Sequence, residues 1–349
     1  MSARPQPRQA PPSPDRAPPP SLDAIGHAAT LALHDELMLA PKPGLVSPRD
    51  SGSHDDMDVH TFGRSLFALR RSFPAFALLG AQRAPFAALQ ACGLEAEARM
   101  LTATGGINTH RGAIFQLGLL CAAAGALGTH GTTPPLARPL TPDAIRAALR
   151  QHWGADLQAK AARPRCDTPG GRALQRHAGL RGAAAEAAAG LPTLFDNVWP
   201  ALREALAAGL DSRHARLHAL MHGVAALDDT TLVHRGGLAG LHWAREQARA
   251  WLAAGGAFQP DALQRADALH RAFVARRLSP GGAADLLSAA CWLQRVTGAA
   301  GPIAQRLSAD RRRGSADAGT VRPVDPAAAA AAPAAPATAT AVTAGAGPR

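Results

Sequence analysis

Nine residues, Asp50–Asp58, read DSGSHDDMD, which puts four carboxylates and His54 side by side. Eight positions upstream stands Lys42, in KPGLV, one of only two lysines in the chain. Clustered carboxylates with a histidine suit two tasks: holding Mg²⁺ through oxygen ligands, or supplying a general base. Asp55 and Asp58 share a face if the stretch is helical, and Asp56 then points elsewhere. The same residues also suit an N-capping acidic turn ahead of a helix around Phe62, favoured by the macrodipole.

Three further polar stretches invite chemistry. TGGINTHRGAIF, Thr104–Phe115, sets two glycines and an Asn-Thr-His-Arg run before a helix, a layout that can offer backbone N–H groups and a cation to phosphate. It lacks the G-x-x-x-x-G-K-[ST] spacing of a P-loop, and a plain capped turn also explains it. LDDTTLVHRGG, Leu227–Gly237, repeats acid plus cation, with Asp228 and Asp229 directly after an apolar helix and His234 and Arg235 following. Carboxylates at a helix C-terminus are unfavourable, which argues for a nearby cation. LSPGGAADLL, Leu278–Leu287, reads by itself as an ordinary helix start at Ser279 and Pro280.

The elements that position these stretches are helices. Ser21 caps LDAIGHAATLALHDELMLA, and Phe62, Leu66, Leu69, Phe73 and Phe76 recur at helical spacing, with Pro74 as a kink. Six more segments follow the same period, from GAIFQLGLLCAAAGAL to GAADLLSAACWLQRV, and no alternating β-branched run competes with them. The expectation is an all-α fold: a single multi-helix domain of roughly ten helices over 21–322. It is flanked by a disordered Pro/Arg-rich tail, 1–20, and a disordered Ala/Pro-rich tail, 323–349. The N-terminal tail lacks the apolar core of a secretory signal, and no run of 18 apolar residues occurs. Cys92, Cys121, Cys166 and Cys291 form no C-x-x-C pair, so reduced cysteines and a cytoplasmic setting are expected.

The formal charge of +11 is almost all arginine, since Lys42 and Lys160 are the only lysines. It suits a polyanionic partner: nucleic acid, or a substrate with several phosphates. With no Tyr and few Trp or Phe, the stacking platforms of single-strand binders are sparse.

PKPGLVSPRDSGSHDDMD, ATGGINTHRGAIFQLGLL, DDTTLVHRGG and LSPGGAADLL together resemble, in order, the successive motifs of the triphosphoribosyl-dephospho-CoA synthase family. The resemblance spans about Ser21–Val296, and the malonate decarboxylase-associated branch is the nearest. It implies an all-helical transferase making 2'-(5''-triphosphoribosyl)-3'-dephospho-CoA from ATP and 3'-dephospho-CoA with release of adenine. That product is the prosthetic-group precursor of an acyl carrier subunit in malonate or citrate metabolism, delivered through a phosphoribosyl-dephospho-CoA transferase. No nucleic acid or membrane partner is expected, and a homodimer is allowed.

Carried onto this chain, the resemblance implies Mg²⁺ ligands or the base at Asp56, Asp58 and Asp229, with Asp285 as a further catalytic carboxylate. Phosphate and ribose contacts fall to Lys42, His54, Asn108, Thr109, His110, Arg111, Arg235, Ser279, Gly281 and Gly282. Two departures stand out. Asp229-Thr230-Thr231 replaces an expected Asp-Thr-Asn, and Ala184-Ala185 precede Glu186 where Arg-Gly is usual, leaving Arg181 as a substitute cation. The rival readings are a helical metal-dependent phosphohydrolase of His/Asp type and a basic nucleic-acid-binding module.

Overall fold

Side-chain capping sets where the helices begin. In the computed structural model, which describes residues 20–128, 140–163, 167–177 and 179–298, Ser21 Oγ accepts the Ala24 amide and opens α1, Leu22–Leu37. Asp58 opens α2, Val59–Leu69, and Thr141 with Pro142 opens α6, Pro142–Ala161. Thr168 opens α7, Pro169–Arg176, and Asp211 opens α10, Ser212–Ala226. Between and after these lie α3, Ser72–Ala81, α4, Phe86–Thr104, α5, Arg111–Leu127, α8, Ala183–Ala188, and α9, Trp199–Ala207. α11, Thr230–Ala253, α12, Ala262–Ala275, and α13, Gly281–Val296, complete the set. The described residues thus form an all-α domain of thirteen α-helices, contain no strand, and belong to one unit.

The Phe62–Phe76 periodicity proves to be two helices. Pro74 sits in the first turn of α3, where its missing N–H has no partner to lose, so it starts a helix instead of kinking one. α11 is likewise broken, because Gly237 adopts φ 64°. α4, whose apolar positions are Leu89, Ala96 and Met100, was not among the expected segments.

α5 and α13 form the centre, buried along most of their lengths and touching each other, α1 and α10 between them. α3 presses on α5 without side chains between: a Cβ on Gly80 would fall 1.9 Å from the Ala122 carbonyl oxygen, and one on Gly125 2.0 Å from that of Ala77. The Asp35 carboxylate receives Arg216 and Arg295, tying α1 to α10 and α13. Cys121 and Cys291 are buried in this centre and burial raises both thiols, as expected of core cysteines. Cys166, the tails beyond Pro20 and Gly298, and the expected domain limit at 322 lie outside the described residues. No described helix is long and apolar enough to cross a membrane.

Candidate active site

The four polar stretches meet at one cavity of about 550 Å³. Its wall includes Lys42 and His54 from the first, Asn108 to Gly112 from the second, Asp228 to Thr231 with His234 and Arg235 from the third, and Ser279, Gly281, Gly282 and Asp285 from the fourth. These are mostly helix beginnings. The first residues of α5, α7, α11 and α13 all line the cavity, so four positive dipole ends face the same space.

Asp229 organises two of those ends. It is the N-cap of α11, not a C-terminal residue of α10, so the macrodipole favours it and the unfavourable placement expected from sequence does not arise. Its Oδ1 accepts from Thr231 N at 2.8 Å and Thr231 Oγ1 at 2.5 Å, while Oδ2 accepts from Ala283 N of α13 at 3.1 Å. Burial nevertheless raises its pKa above the carboxylate norm, with those hydrogen bonds opposing. Thr231, a departure from the expected motif, stitches the same joint: its hydroxyl accepts from Gly281 N at 2.9 Å and lies 2.9 Å from the Ser279 carbonyl. Asp228 is held by Arg245 at 2.5 Å and by the Arg181 amide at 2.9 Å.

Asp285 faces α5. It accepts a hydrogen bond from the Ala113 amide, and a Cβ on Gly112 would lie 2.0 Å from its Oδ2, so only glycine lets the carboxylate reach the helix start. Burial, then the charges of Asp229 and Glu36, push its pKa well above the usual range. Lys42 supplies the opposing charge. Its ammonium is 1 % exposed and bonded to Glu36 Oε1 at 2.6 Å, and burial lowers its pKa while Glu36 resists the shift.

The Lys42–Asp58 segment contains no helix, so Asp55 and Asp58 share no helical face. It is pinned from outside: His270 Nδ1 donates to the Lys42 carbonyl at 2.7 Å, Ser53 Oγ to that of Leu278 at 2.6 Å, and Arg235 Nη1 to that of Ser53 at 2.9 Å. Arg235 also donates to His54 Nδ1 at 2.9 Å. That bond leaves the proton on Nε2, which therefore donates to Ser279 Oγ at 3.0 Å. Burial and Arg235 lower the His54 pKa to about 4, keeping the ring neutral. In this tautomer His54 cannot take the Ser279 proton. The serine is a hydrogen-bond donor in waiting, not a nucleophile.

The acids of the opening stretch are occupied at the surface. Asp50 faces His270 at 3.1 Å, Asp55 pairs with Arg277, and Asp56 is 62 % exposed and 3.7 Å from His54. Asp58 caps α2 through the Thr61 amide and hydroxyl, both at 2.8 Å, which lowers its pKa. Neither Asp56 nor Asp58 lines the cavity. Among the described residues no three His, Cys, Asp or Glu side chains are grouped to hold a metal, so Asp56, Asp58 and Asp229 are not gathered into one ligand set. The carboxylates that do come together are those of Asp285, Asp229 and Glu36, close enough for the last two to raise the pKa of Asp285.

In the second stretch, Gly105, at φ 70°, ends α4, and the Gly106 amide bonds the Leu101 carbonyl at 2.7 Å, so the glycines cap a helix and the polar run opens the next. Asn108 Oδ1 accepts the Arg111 amide at 3.1 Å, and Arg111 Nε lies 2.6 Å from Glu97. His110 is buried, with Nδ1 2.6 Å from Ser65 Oγ and Nε2 without a partner; burial and nearby Lys42 lower its pKa to about 3. Thr109 Oγ1 also lacks a partner.

The structure adds wall residues outside the motifs, Glu36, Lys160 and Arg163, and one within them not singled out as a site residue, Gln116; it places Glu186 there too. Glu36 was legible in principle, because it continues the Ile25–Ala29–Leu33 face of α1 and so sits where an apolar residue belongs. Glu186 is 2 % exposed and its Oε1 accepts the Thr193 amide at 2.6 Å.

The sequence profile described as ATP:dephospho-CoA triphosphoribosyl transferase (CitG) matches residues 22–302. The chain belongs to that family. It is 38 % identical over 275 residues to a protein of Vibrio cholerae serotype O1 named probable 2-(5''-triphosphoribosyl)-3'-dephosphocoenzyme-A synthase, covering 77 % of this chain and 86 % of that one. A Pectobacterium atrosepticum synthase of the same name without "probable" is 40 % identical, with 77 % and 86 % covered. A Klebsiella pneumoniae synthase is 39 % identical, with 78 % and 95 % covered. No solved structure matches the chain. As a member of the triphosphoribosyl transferase family the protein is an enzyme, a transferase.

Proposed function

We propose that the protein transfers the triphosphoribosyl group of ATP to the ribose 2'-hydroxyl of 3'-dephospho-CoA, releasing adenine. The observation that carries the reading is the convergence of four helix N-termini and the cations Lys42 and Arg235 on a cavity whose wall includes Asp285, a carboxylate of raised proton affinity. The donors suit two polyphosphate substrates, and the carboxylates suit a positively charged glycosyl centre.

In the proposed step the 2'-oxygen bonds to C1'' as the C1''–N9 bond breaks, with inversion and an oxocarbenium-like transition state stabilised by nearby carboxylates. Asp285 accepts the hydroxyl proton, for which Asp229, Glu36 and burial raise its affinity. The bond pair leaves with adenine, which takes up a proton in exchange. The triphosphate is held and not cleaved, by Ser279 donating from its His54-fixed hydroxyl, by the Gly112 and Gly282 amides at the starts of α5 and α13, and by Arg235 and Lys42. Mg²⁺, when bound, would be held mainly by the substrate phosphates with help from a neighbouring carboxylate such as Asp229, and would supply charge neutralisation. We further propose a cytoplasmic setting. The product goes to a phosphoribosyl-dephospho-CoA transferase and an acyl carrier subunit of malonate or citrate metabolism, and the enzyme works alone or as a homodimer.

The test is incubation with ATP, 3'-dephospho-CoA and Mg²⁺, following adenine by chromatography and the adduct by mass. Adenine that appears only with dephospho-CoA supports the reading. Phosphate without adenine overturns it in favour of a phosphohydrolase.

A further inference from the structure

One polar group in the cavity wall has no part in the chemistry above. Gly112, Phe115, Gln116 and Leu119 follow one another at helical spacing, so a single face of α5 lines the cavity. Asp285 and Ser288 do the same on α13. Since Gly112 abuts the Asp285 carboxylate, Gln116 stands one turn further along α5, about 6 Å up the axis. The Gln116 side chain is 4 % exposed, and its Oε1 meets no donor. Ser288, 1 % exposed, occupies the corresponding turn of α13.

A buried amide oxygen without a donor is unfavourable, and a Leu or Met would fill the same volume without it. A ligand N–H resolves the deficit. Phosphates and ribose ring oxygens are acceptors and do not; ribose hydroxyls can donate, but the apolar surroundings favour a base. The flanking Phe115 and Leu119 make the neighbourhood apolar, which suits a purine.

We propose, resting on the transferase reading above, that Gln116 recognises the exocyclic amino group of the departing adenine and thereby sets the nucleotide specificity of the enzyme. Its Oε1 accepts an N–H of that amine, as amide side chains do toward adenine. Because the amide can turn over and donate instead, a 6-oxo purine is a poor probe, and the informative analogue is the one lacking the 6-amino group.

The experiment compares kcat/KM for base release from ATP and from purine riboside 5'-triphosphate, with dephospho-CoA fixed, in wild type and Gln116→Met. The expected result is a wild-type preference for ATP of about tenfold or more, reduced to about unity in the variant. No preference in the wild type overturns the proposal without any variant. A preference that survives Gln116→Met, with Gln116→Leu as a second variant if methionine disturbs the fold, also overturns it. So does a raised KM for dephospho-CoA with the preference intact, since the amide would then read a donor of that substrate, its own adenine amine or a pantetheine N–H. Failure of the wild type to release base from either nucleotide overturns the transferase reading itself, and this inference with it.

Discussion

Two acidic regions of this protein look alike in sequence and differ in physics. Asp55, Asp56 and Asp58 crowd one loop, yet each is exposed, and Asp55 and Asp58 are engaged locally, by Arg277 and by the cap of α2. Asp229, Asp285 and Glu36 are scattered over 250 positions, yet they sit close enough in the interior for Asp229 and Glu36 to raise the proton affinity of Asp285. Local charge density therefore marks a solvated turn, while chemistry collects where charges are desolvated together and water no longer screens them.

The sharpest way to break this contrast is Asp285→Asn, expected to lower kcat for adenine release by about 10²–10⁴-fold. Thermal stability should hold or rise, because a crowded buried carboxylate is removed. An equal loss from Asp56→Asn would return the exposed loop to the reacting centre. Gly112→Ala comes next: the new Cβ displaces Asp285, and an Ångström-scale shift should cost about a hundredfold in kcat. Circular dichroism would separate this from unfolding. Lys42→Met leaves Glu36 buried without its partner and should destabilise the fold by about 3–5 kcal/mol in urea titration.

The pH dependence sharpens the same point. His54, at about 4 when folded and near 6.5 when unfolded, binds fewer protons in the native state between those values. Its contribution is thus complete above pH 6.5 and lost as pH falls toward 4. His54→Gln should flatten the stability slope across that window. The smallest effect is expected for Asp58→Ala, which removes the α2 cap. Its depressed pKa means that this contribution is present above the unfolded value near 3.8 and disappears as pH falls through the folded one. Adenine release at neutral pH should stay within about twofold, and a larger fall would place Asp58 in the site.

Much of the architecture was legible because it depends on local rules. Ser21, Thr141-Pro142 and the apolar periods of α6, α10 and α13 announce helices in any context. The Phe62–Phe76 run misled because periodicity is blind to a two-residue break, and Asp229 misled because a cap belongs to the helix after it, whose start lay hidden in TTLVHR.

Sequence by itself determined the helical class, the family, and the four stretches that meet, since side-chain period, capping chemistry and ordered motifs are properties of the linear chain. Only the tertiary structure decided which acids are buried together. It buried Asp285 behind Gly112, paired Lys42 with Glu36, left Gln116 without a donor, and turned Asp56 and Asp58 outward. The reason is that burial and charge coupling act through space, between α1, α5, α11 and α13, over separations that no local pattern records.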